Sequence, residues 1–218
     1  SGKFSLDDLK NFRQWGSVTP GHPEIEVMRG IENTSGPLGQ GHTFGVGAAI
    51  AAKFLEHRLG DSMNQTIYAF ISDGGIQEEI SQGAGRIAGH LGLGNYIMFY
   101  DANSVQLSTK TGVVTSEDVA KKYEAWDWHV GTINGNDIGE IREALKAAKA
   151  ENEKPTLIIG NTIMGKGTLT AEKDLFEGQV SMHGQPLSKA GGCISTTIKE
   201  LGGSVDSPFV IFPEVAEL

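Results

Sequence analysis

The chain has little cysteine, few basic residues and no long hydrophobic run. Its 218 residues include one cysteine, Cys193, which excludes an internal disulfide and fits a reducing compartment. Lys and Arg number 18 against 27 Asp and Glu, and the net charge of −9 argues against nucleic acid or an anionic membrane as a partner. No apolar run approaches the roughly 20 residues of a membrane span, and no signal peptide is visible. We therefore expect a cytoplasmic protein that binds any phosphorylated ligand through local groups or a metal.

The length of the chain is enough for one α/β domain with a sizeable core. The sequence has no initiator methionine and passes from Ser1-Gly2-Lys3-Phe4 directly into a helical pattern, which predicts a fragment of a longer protein. We see no internal repeat and no low-complexity segment. The expectation is a single domain over residues 1–218.

Short runs rich in β-branched and aromatic residues predict four strands, at 67–71, 96–100, 128–133 and 156–162. Between and before them, helical spacing at 42–59 and 76–91, a capping pattern at Thr115, and a further cap at Asn136 or Asp137 predict the helices. The tail at 208–218 reads as a last strand and a helical turn. Strands that alternate with helices indicate a doubly wound parallel sheet flanked by helices.

Polar residues follow the first two predicted strands. Ser72-Asp73-Gly74-Gly75 comes after one strand, and Asp101-Ala102-Asn103 comes after the next. Neighbouring parallel strands end at the same edge of a sheet, about 4.8 Å apart, where ligands of open α/β sheets bind. A carboxylate, an amide oxygen and a nearby carbonyl suit Mg²⁺, and the two glycines allow a phosphate group close to the backbone. The pair predicts a metal–diphosphate site, although each turn alone is ordinary loop chemistry.

Two other sets of polar residues are candidates for function. Gly160 to Lys166 nearly matches a nucleotide-binding phosphate loop, but Gly167 stands where Ser or Thr must hold Mg²⁺, and Gly160 falls inside a predicted strand. Among the histidines, His22 and His183 lie in loops rich in Gly or Pro and are functional candidates. We assign no role to the remaining histidines, which lie on predicted helices or a strand: His42, His57, His90 and His129.

Several motifs together resemble the thiamine-diphosphate-binding domain of transketolases over essentially the whole chain. They are TPGHPE at 19–24, GPLGQG at 36–41, SDGGIQEE at 72–79, DAN at 101–103, EDVAKKYEA at 117–125 and MHGQPL at 182–187. The resemblance implies the thiamine-diphosphate-binding fold, a cofactor set of thiamine diphosphate with Mg²⁺ (or Ca²⁺), and transfer of a two-carbon ketol unit between sugar phosphates in the pentose phosphate pathway.

The resemblance also implies roles for particular residues. Asp73, the Asn103 side chain and the Val105 carbonyl would bind the metal. Gly36, Pro37 and Leu38 would contact the thiamine, Gly74 the diphosphate, and Glu78 would lie at a dimer interface close to the cofactor. His22 and His183 would line the channel to the thiazolium and handle substrate hydroxyls and protons.

The chain departs from the family pattern in what it contains as well as in what it lacks. Ser72 replaces the usual glycine before the metal aspartate, and Glu79 stands where glycine is common. The family's early N-terminal segment, its pyrimidine-binding domain and its C-terminal domain are missing, so we expect the chain alone to be inactive. Activity would then require a homodimer or pairing with the pyrimidine-binding domain. The alternative is a non-catalytic or split-subunit domain of another thiamine enzyme that works only with a partner chain.

Overall fold

The structure, a computed structural model, describes residues 3–217. Within them the strands are β1 (Ile67–Ser72), β2 (Tyr96–Ala102), β3 (Val105–Gln106), β4 (Thr109–Lys110), β5 (His129–Asn134) and β6 (Thr156–Asn161). The α-helices are α1 (Leu6–Lys10), α2 (Gln40–Leu59), α3 (Asp73–Gln77), α4 (Glu79–His90), α5 (Val119–Ala125), α6 (Ile138–Ala150), α7 (Leu187–Ala190), α8 (Ile194–Glu200) and α9 (Pro213–Ala216).

The centre of the molecule is a four-stranded parallel sheet in the order β1-β2-β6-β5. The prediction of a doubly wound parallel sheet is confirmed. Strand β6 consists of residues that are buried on both faces up to Gly160, as expected for a parallel strand covered by helices. The short β3–β4 hairpin forms a second, antiparallel sheet beyond the end of β2.

Helices cover both faces of the central sheet. On one face, α2, α4 and α5 contribute to a core built with the sheet residues Ile71, Met98, Tyr100 and Leu157. On the other face, Ala148 of α6 packs with Ile97 and Ile158 in a smaller cluster. None of the helices that the structure describes is long and apolar enough to cross a membrane.

Most predicted elements form, with bounds shifted by a residue or two. Helix α2 begins at Gln40, two residues before the predicted start. The cap predicted at Thr115 is wrong, because α5 begins at Val119 and its N-cap Asp118 accepts a hydrogen bond from the Lys121 N–H at 3.1 Å. Of the two caps considered for α6, Asp137 is the one used.

Two further predictions are wrong, one for the tail and one for the helix at 76–91. The tail forms only the helical turn α9. The strand predicted at its start is absent from the described residues 208–212. The helix predicted at 76–91 begins earlier and is divided in two. Ser72 is the N-cap of α3: its backbone has φ −102°, and its side chain accepts a hydrogen bond from the Gly75 N–H. Glu78 adopts an extended conformation (φ −63°, ψ 135°) before α4 begins. The chain therefore turns between α3 and α4 and does not continue as one helix after β1.

Candidate functional site

The first two strands of the sheet bring Asp73 and Asn103 together at its carboxyl edge. In the β1–β2 ladder, Ser72 is paired with Asp101, so that the residues following each strand are neighbours. Asp73 is the first residue of α3. The Asn103 backbone N–H donates a hydrogen bond to Asp73 Oδ2 at 3.1 Å. The two residues therefore meet at this edge of the sheet, through the backbone N–H of Asn103, and their binding of a common ion stays a prediction.

The Asp73 carboxylate is almost completely buried, with 3% of the residue exposed. Burial raises its pKa above the ordinary value, and the hydrogen bonds from the Tyr100 hydroxyl and the Asn103 N–H act in the opposite direction. The Tyr100 hydroxyl donates to Asp73 Oδ1 at 2.6 Å. An ionised carboxylate in this position is costly without a compensating cation.

A cavity of about 390 Å³ is lined by Ser72 and Gly74, the chain neighbours of Asp73, and by Asn103, whose N–H contacts the Asp73 carboxylate. Its lining residues come from the turn before α2, the β1–α3 junction, the β2–β3 segment and the loop before α7: Leu38, Ser72, Gly74, Gln77, Glu78, Glu79, Asn103, Val105, Gln106, Leu107 and His183. The volume falls within the range of about 300–1,000 Å³ that is typical of small-molecule sites. Leu38, Gly74, Glu78, Asn103, Val105 and His183, all predicted from the sequence, thus share one cavity.

Four other predicted residues do not line that cavity: Asp73, His22, Gly36 and Pro37. Gly36 has a positive φ of 125°, and a Cβ placed there would lie 3.2 Å from the His22 Cβ, which puts Gly36 and His22 in contact. Pro37 lies between Gly36 and the cavity residue Leu38 in the sequence. His22, Gly36 and Pro37 therefore belong to a loop that leads to the cavity through Leu38.

The predicted metal ligands Asn103 and Val105 are also linked to each other. Asn103 Oδ1 accepts a hydrogen bond from the Val105 N–H at 2.9 Å. Ser104, between them, has a positive φ of 61°, which few residues other than glycine adopt. This tight turn holds the amide oxygen of Asn103 at the edge of the cavity that it lines.

His183 is the one predicted histidine that lines the cavity. Its Nδ1 is buried and has no hydrogen-bond partner within the described residues. Buried ring nitrogens normally have a partner, so this atom is an exception among the buried polar groups of the site.

Tyr100 and two glutamines that line the cavity, Gln77 and Gln106, were not expected at the site from the sequence. The Gln77 side-chain amide donates to the Asp73 carbonyl oxygen and to Gln106 Oε1, at 2.8 Å each. Gln106 belongs to none of the motifs, and Gln77 lies inside the SDGGIQEE motif without a role assigned to it there. Tyr100 could have been found, because a tyrosine that faces the core from a buried strand needs a partner for its hydroxyl.

The fold and the cavity together define an open α/β domain with a ligand site at the carboxyl edge of its parallel sheet. The family model described as "Transketolase, thiamine diphosphate binding domain" matches residues 2–218, and the chain belongs to this family.

Named relatives agree with that membership. A transketolase of Streptococcus pyogenes is 45% identical over 193 residues, which are 86% of this chain and 26% of the relative, and transketolase 1 of Saccharomyces cerevisiae is 44% identical over 97% of this chain and 31% of the relative. A transketolase structure from Leishmania mexicana, 32% identical, superposes with a TM-score of 0.86 over 98% of this chain and 32% of its own length. The chain therefore spans less than a third of these proteins.

Proposed function

We propose that this chain is the cofactor-binding part of a transketolase, in which thiamine diphosphate and Mg²⁺ (or Ca²⁺) are held while a two-carbon ketol unit passes between sugar phosphates. One observation carries the proposal most strongly. A buried carboxylate, Asp73, accepts a hydrogen bond from Asn103, which lines a cavity together with Gly74, in a chain that matches a thiamine diphosphate binding domain. The proposal takes residues 1–218 as one domain of the larger enzyme.

The oxygen donors around Asp73 suit a hard divalent cation. We propose the Asp73 carboxylate, the Asn103 amide oxygen and the Val105 carbonyl as its ligands. An ionised carboxylate offers about four acceptor positions, and an amide oxygen offers two, so the observed hydrogen bonds leave acceptor positions for a metal. A cation would also offset the burial that raises the pKa of Asp73. Oxygen ligands of this type fit Mg²⁺, which completes its shell with water and phosphate oxygens.

The shape of the cavity supports a diphosphate next to Gly74. A Cβ on Gly74 would lie 3.2 Å from the Leu38 Cδ1, so any larger residue would fill the space between the two. We propose that Gly74 approaches the diphosphate and that Gly36, Pro37 and Leu38 contact the thiamine, with Glu78 near the cofactor. When bound, the thiazolium supplies the carbanion chemistry, and the protein supplies positioning and electrostatics.

The two loop histidines are proposed to face the substrate. His183 lines the cavity, where its ring can exchange a proton with a substrate hydroxyl. His22 lies against Gly36, on the loop that leads to the same cavity. The choice of sugar phosphates as substrates is supported by transketolase structures from Pichia stipitis in complex with sedoheptulose-7-phosphate and fructose-6-phosphate.

A partner surface is proposed on helices α2 and α4. Both helices pack on the sheet and still leave large apolar side chains exposed, among them Phe44 and Phe54 on α2 and Ile80 and Ile87 on α4. Clusters of exposed apolar residues are typical of protein interfaces. We propose a homodimer, or pairing with the pyrimidine-binding domain, through this surface. The lone Cys193 supports a reducing compartment, and we propose the cytoplasm.

The experiment that tests this function is a ketol-transfer assay with a ketose phosphate donor and an aldose phosphate acceptor. The chain is assayed alone and then mixed with a separately expressed pyrimidine-binding and C-terminal portion of a transketolase. Turnover only in the mixture is expected, with Asp73→Asn as an inactive control. Turnover by the chain alone, or none in a mixture that binds the cofactor, would contradict the proposal.

A further inference from the structure

The hydroxyl of Tyr100 contacts the carboxylate of Asp73 in the interior of the protein. Tyr100 is paired with Ile71 in the β1–β2 ladder, and its hydroxyl donates to Asp73 Oδ1 at 2.6 Å. Both residues are buried, with 8% of Tyr100 and 3% of Asp73 exposed. Neither Tyr100 nor Asp73 lines the cavity, whereas Asn103, which contacts the same carboxylate, does.

The hydrogen bonds hold the carboxylate at both ends. The Tyr100 hydroxyl holds Oδ1, and the Asn103 N–H holds Oδ2 at 3.1 Å. With one donor on each oxygen, the carboxylate group cannot rotate about its Cβ–Cγ bond without breaking a buried hydrogen bond, which costs about 1–3 kcal/mol. The acceptor positions that remain are therefore presented in a fixed orientation.

We propose that Tyr100 is a positioning residue for the metal ion: it orients the Asp73 carboxylate for coordination and touches neither metal nor cofactor. This inference rests on the proposed function, because it takes Asp73 as a metal ligand. Hydrogen bonds from neighbouring groups orient metal-binding carboxylates, and their loss typically costs 10- to 100-fold in metal affinity. Mg²⁺ demands near-ideal octahedral geometry, whereas Ca²⁺ accepts variable coordination, so loss of the hydroxyl should weaken Mg²⁺ more than Ca²⁺.

The chain offers a matched control in Tyr123. Its side chain is fully buried, but its hydroxyl has no hydrogen-bond partner within the described residues. Tyr123→Phe and Tyr100→Phe delete the same atom from the same core and keep the aromatic ring. Only Tyr100→Phe removes a hydrogen bond to Asp73.

The experiment measures metal binding rather than activity. Mn²⁺ is titrated into the 218-residue chain and followed by the electron paramagnetic resonance of the free ion, and Mg²⁺ and Ca²⁺ affinities are obtained by competition. Asp73→Asn defines binding outside the site. Thermal unfolding without metal shows that each variant is folded.

We expect Tyr100→Phe to weaken Mg²⁺ binding by about 10- to 100-fold and Ca²⁺ binding by less, with Tyr123→Phe close to the unmodified chain. Equal Mg²⁺ affinity in the two tyrosine variants, with binding lost in Asp73→Asn, would overturn the role of Tyr100 and leave the proposed metal site intact. Undiminished binding in Asp73→Asn would overturn both proposals. A parallel loss of Mg²⁺ and Ca²⁺ affinity would also refute the geometric argument.

Discussion

Replacing His42 with phenylalanine should remove an acid-sensitive group from the core. His42 is 2% exposed on α2, and its ring centroid lies 5.9 Å from that of Tyr96, 6.4 Å from Tyr123 and 6.0 Å from Trp128. Neither ring nitrogen has a hydrogen-bond partner within the described residues. Burial among these uncharged rings lowers the pKa of His42 from 6.5 to about 4.

The magnitude follows from the two pKa values. Above pH 6.5 the ring is neutral in both the folded and the unfolded chain, and it adds no pH dependence. As the pH falls below 6.5, the unfolded chain takes up a proton that the folded chain refuses, so the free energy of unfolding decreases. The decrease from this one residue is about 2 kcal/mol at pH 5 and approaches about 3 kcal/mol near pH 4.

The assay is urea unfolding at pH 7 and pH 5 of the unmodified chain, His42→Phe and the control His57→Gln, which alters an exposed histidine on the same helix. The unmodified chain and His57→Gln should lose about 2 kcal/mol more than His42→Phe between the two pH values. Because no hydrogen bond of the ring is lost, the free energy of unfolding of His42→Phe at pH 7 should be close to that of the unmodified chain. An equal pH dependence in all three proteins would refute a buried, neutral His42.

Two further predictions concern side chains outside the cavity. The Trp128 indole N–H donates to the Gly85 carbonyl at 2.8 Å, so Trp128→Phe should lower the free energy of unfolding in urea by about 1–3 kcal/mol. The control is Trp126→Phe, at a half-buried indole without a hydrogen bond in the described part of the chain. A loss of stability in Trp128→Phe no greater than that in Trp126→Phe would contradict the prediction. Hydrogen bonds from Ser195 and Thr196 lower the pKa of Cys193 to about 7, so the rate of its alkylation should have a midpoint near pH 7. Ser195→Ala should move that midpoint upward, and an unchanged midpoint would exclude a role of Ser195 in lowering the pKa.

The parts of the fold that could be predicted are those governed by short-range patterns. Runs of β-branched and aromatic residues located all four strands of the central sheet, and the strand-end motifs predicted that Asp73 and Asn103 meet. Gly160 lies inside β6, where a Cβ would come within 2.3 Å of the Phe99 ring. That glycine serves sheet packing, which agrees with the rejection of the phosphate-loop reading.

The failures arise where tertiary contacts override local preference. The residues at 76–91 have helical spacing throughout, but the helix is interrupted at Glu78. Next to this interruption, the side-chain amide of Gln77 donates a hydrogen bond to Gln106, in the hairpin after β2. The tail at 208–218 is apolar enough for a strand, yet nothing in the described residues pairs with it. Tyr100, on a buried strand, could be expected to need a partner for its hydroxyl, but the identity of that partner, Asp73, 27 residues away in the sequence, could not be predicted. None of these contacts can be read from a local window.

The central claim is that Asp73 and a divalent metal together hold thiamine diphosphate at the carboxyl edge of the sheet. Calorimetric titration of thiamine diphosphate into the chain, with Mg²⁺ and then with chelator, tests it most directly. Asp73 and the diphosphate are both anionic and repel each other at close range without a cation. The account predicts binding with Mg²⁺ that is lost with chelator and lost in Asp73→Asn, while Glu79→Gly retains it. Equal affinity with Mg²⁺ and with chelator would contradict the account.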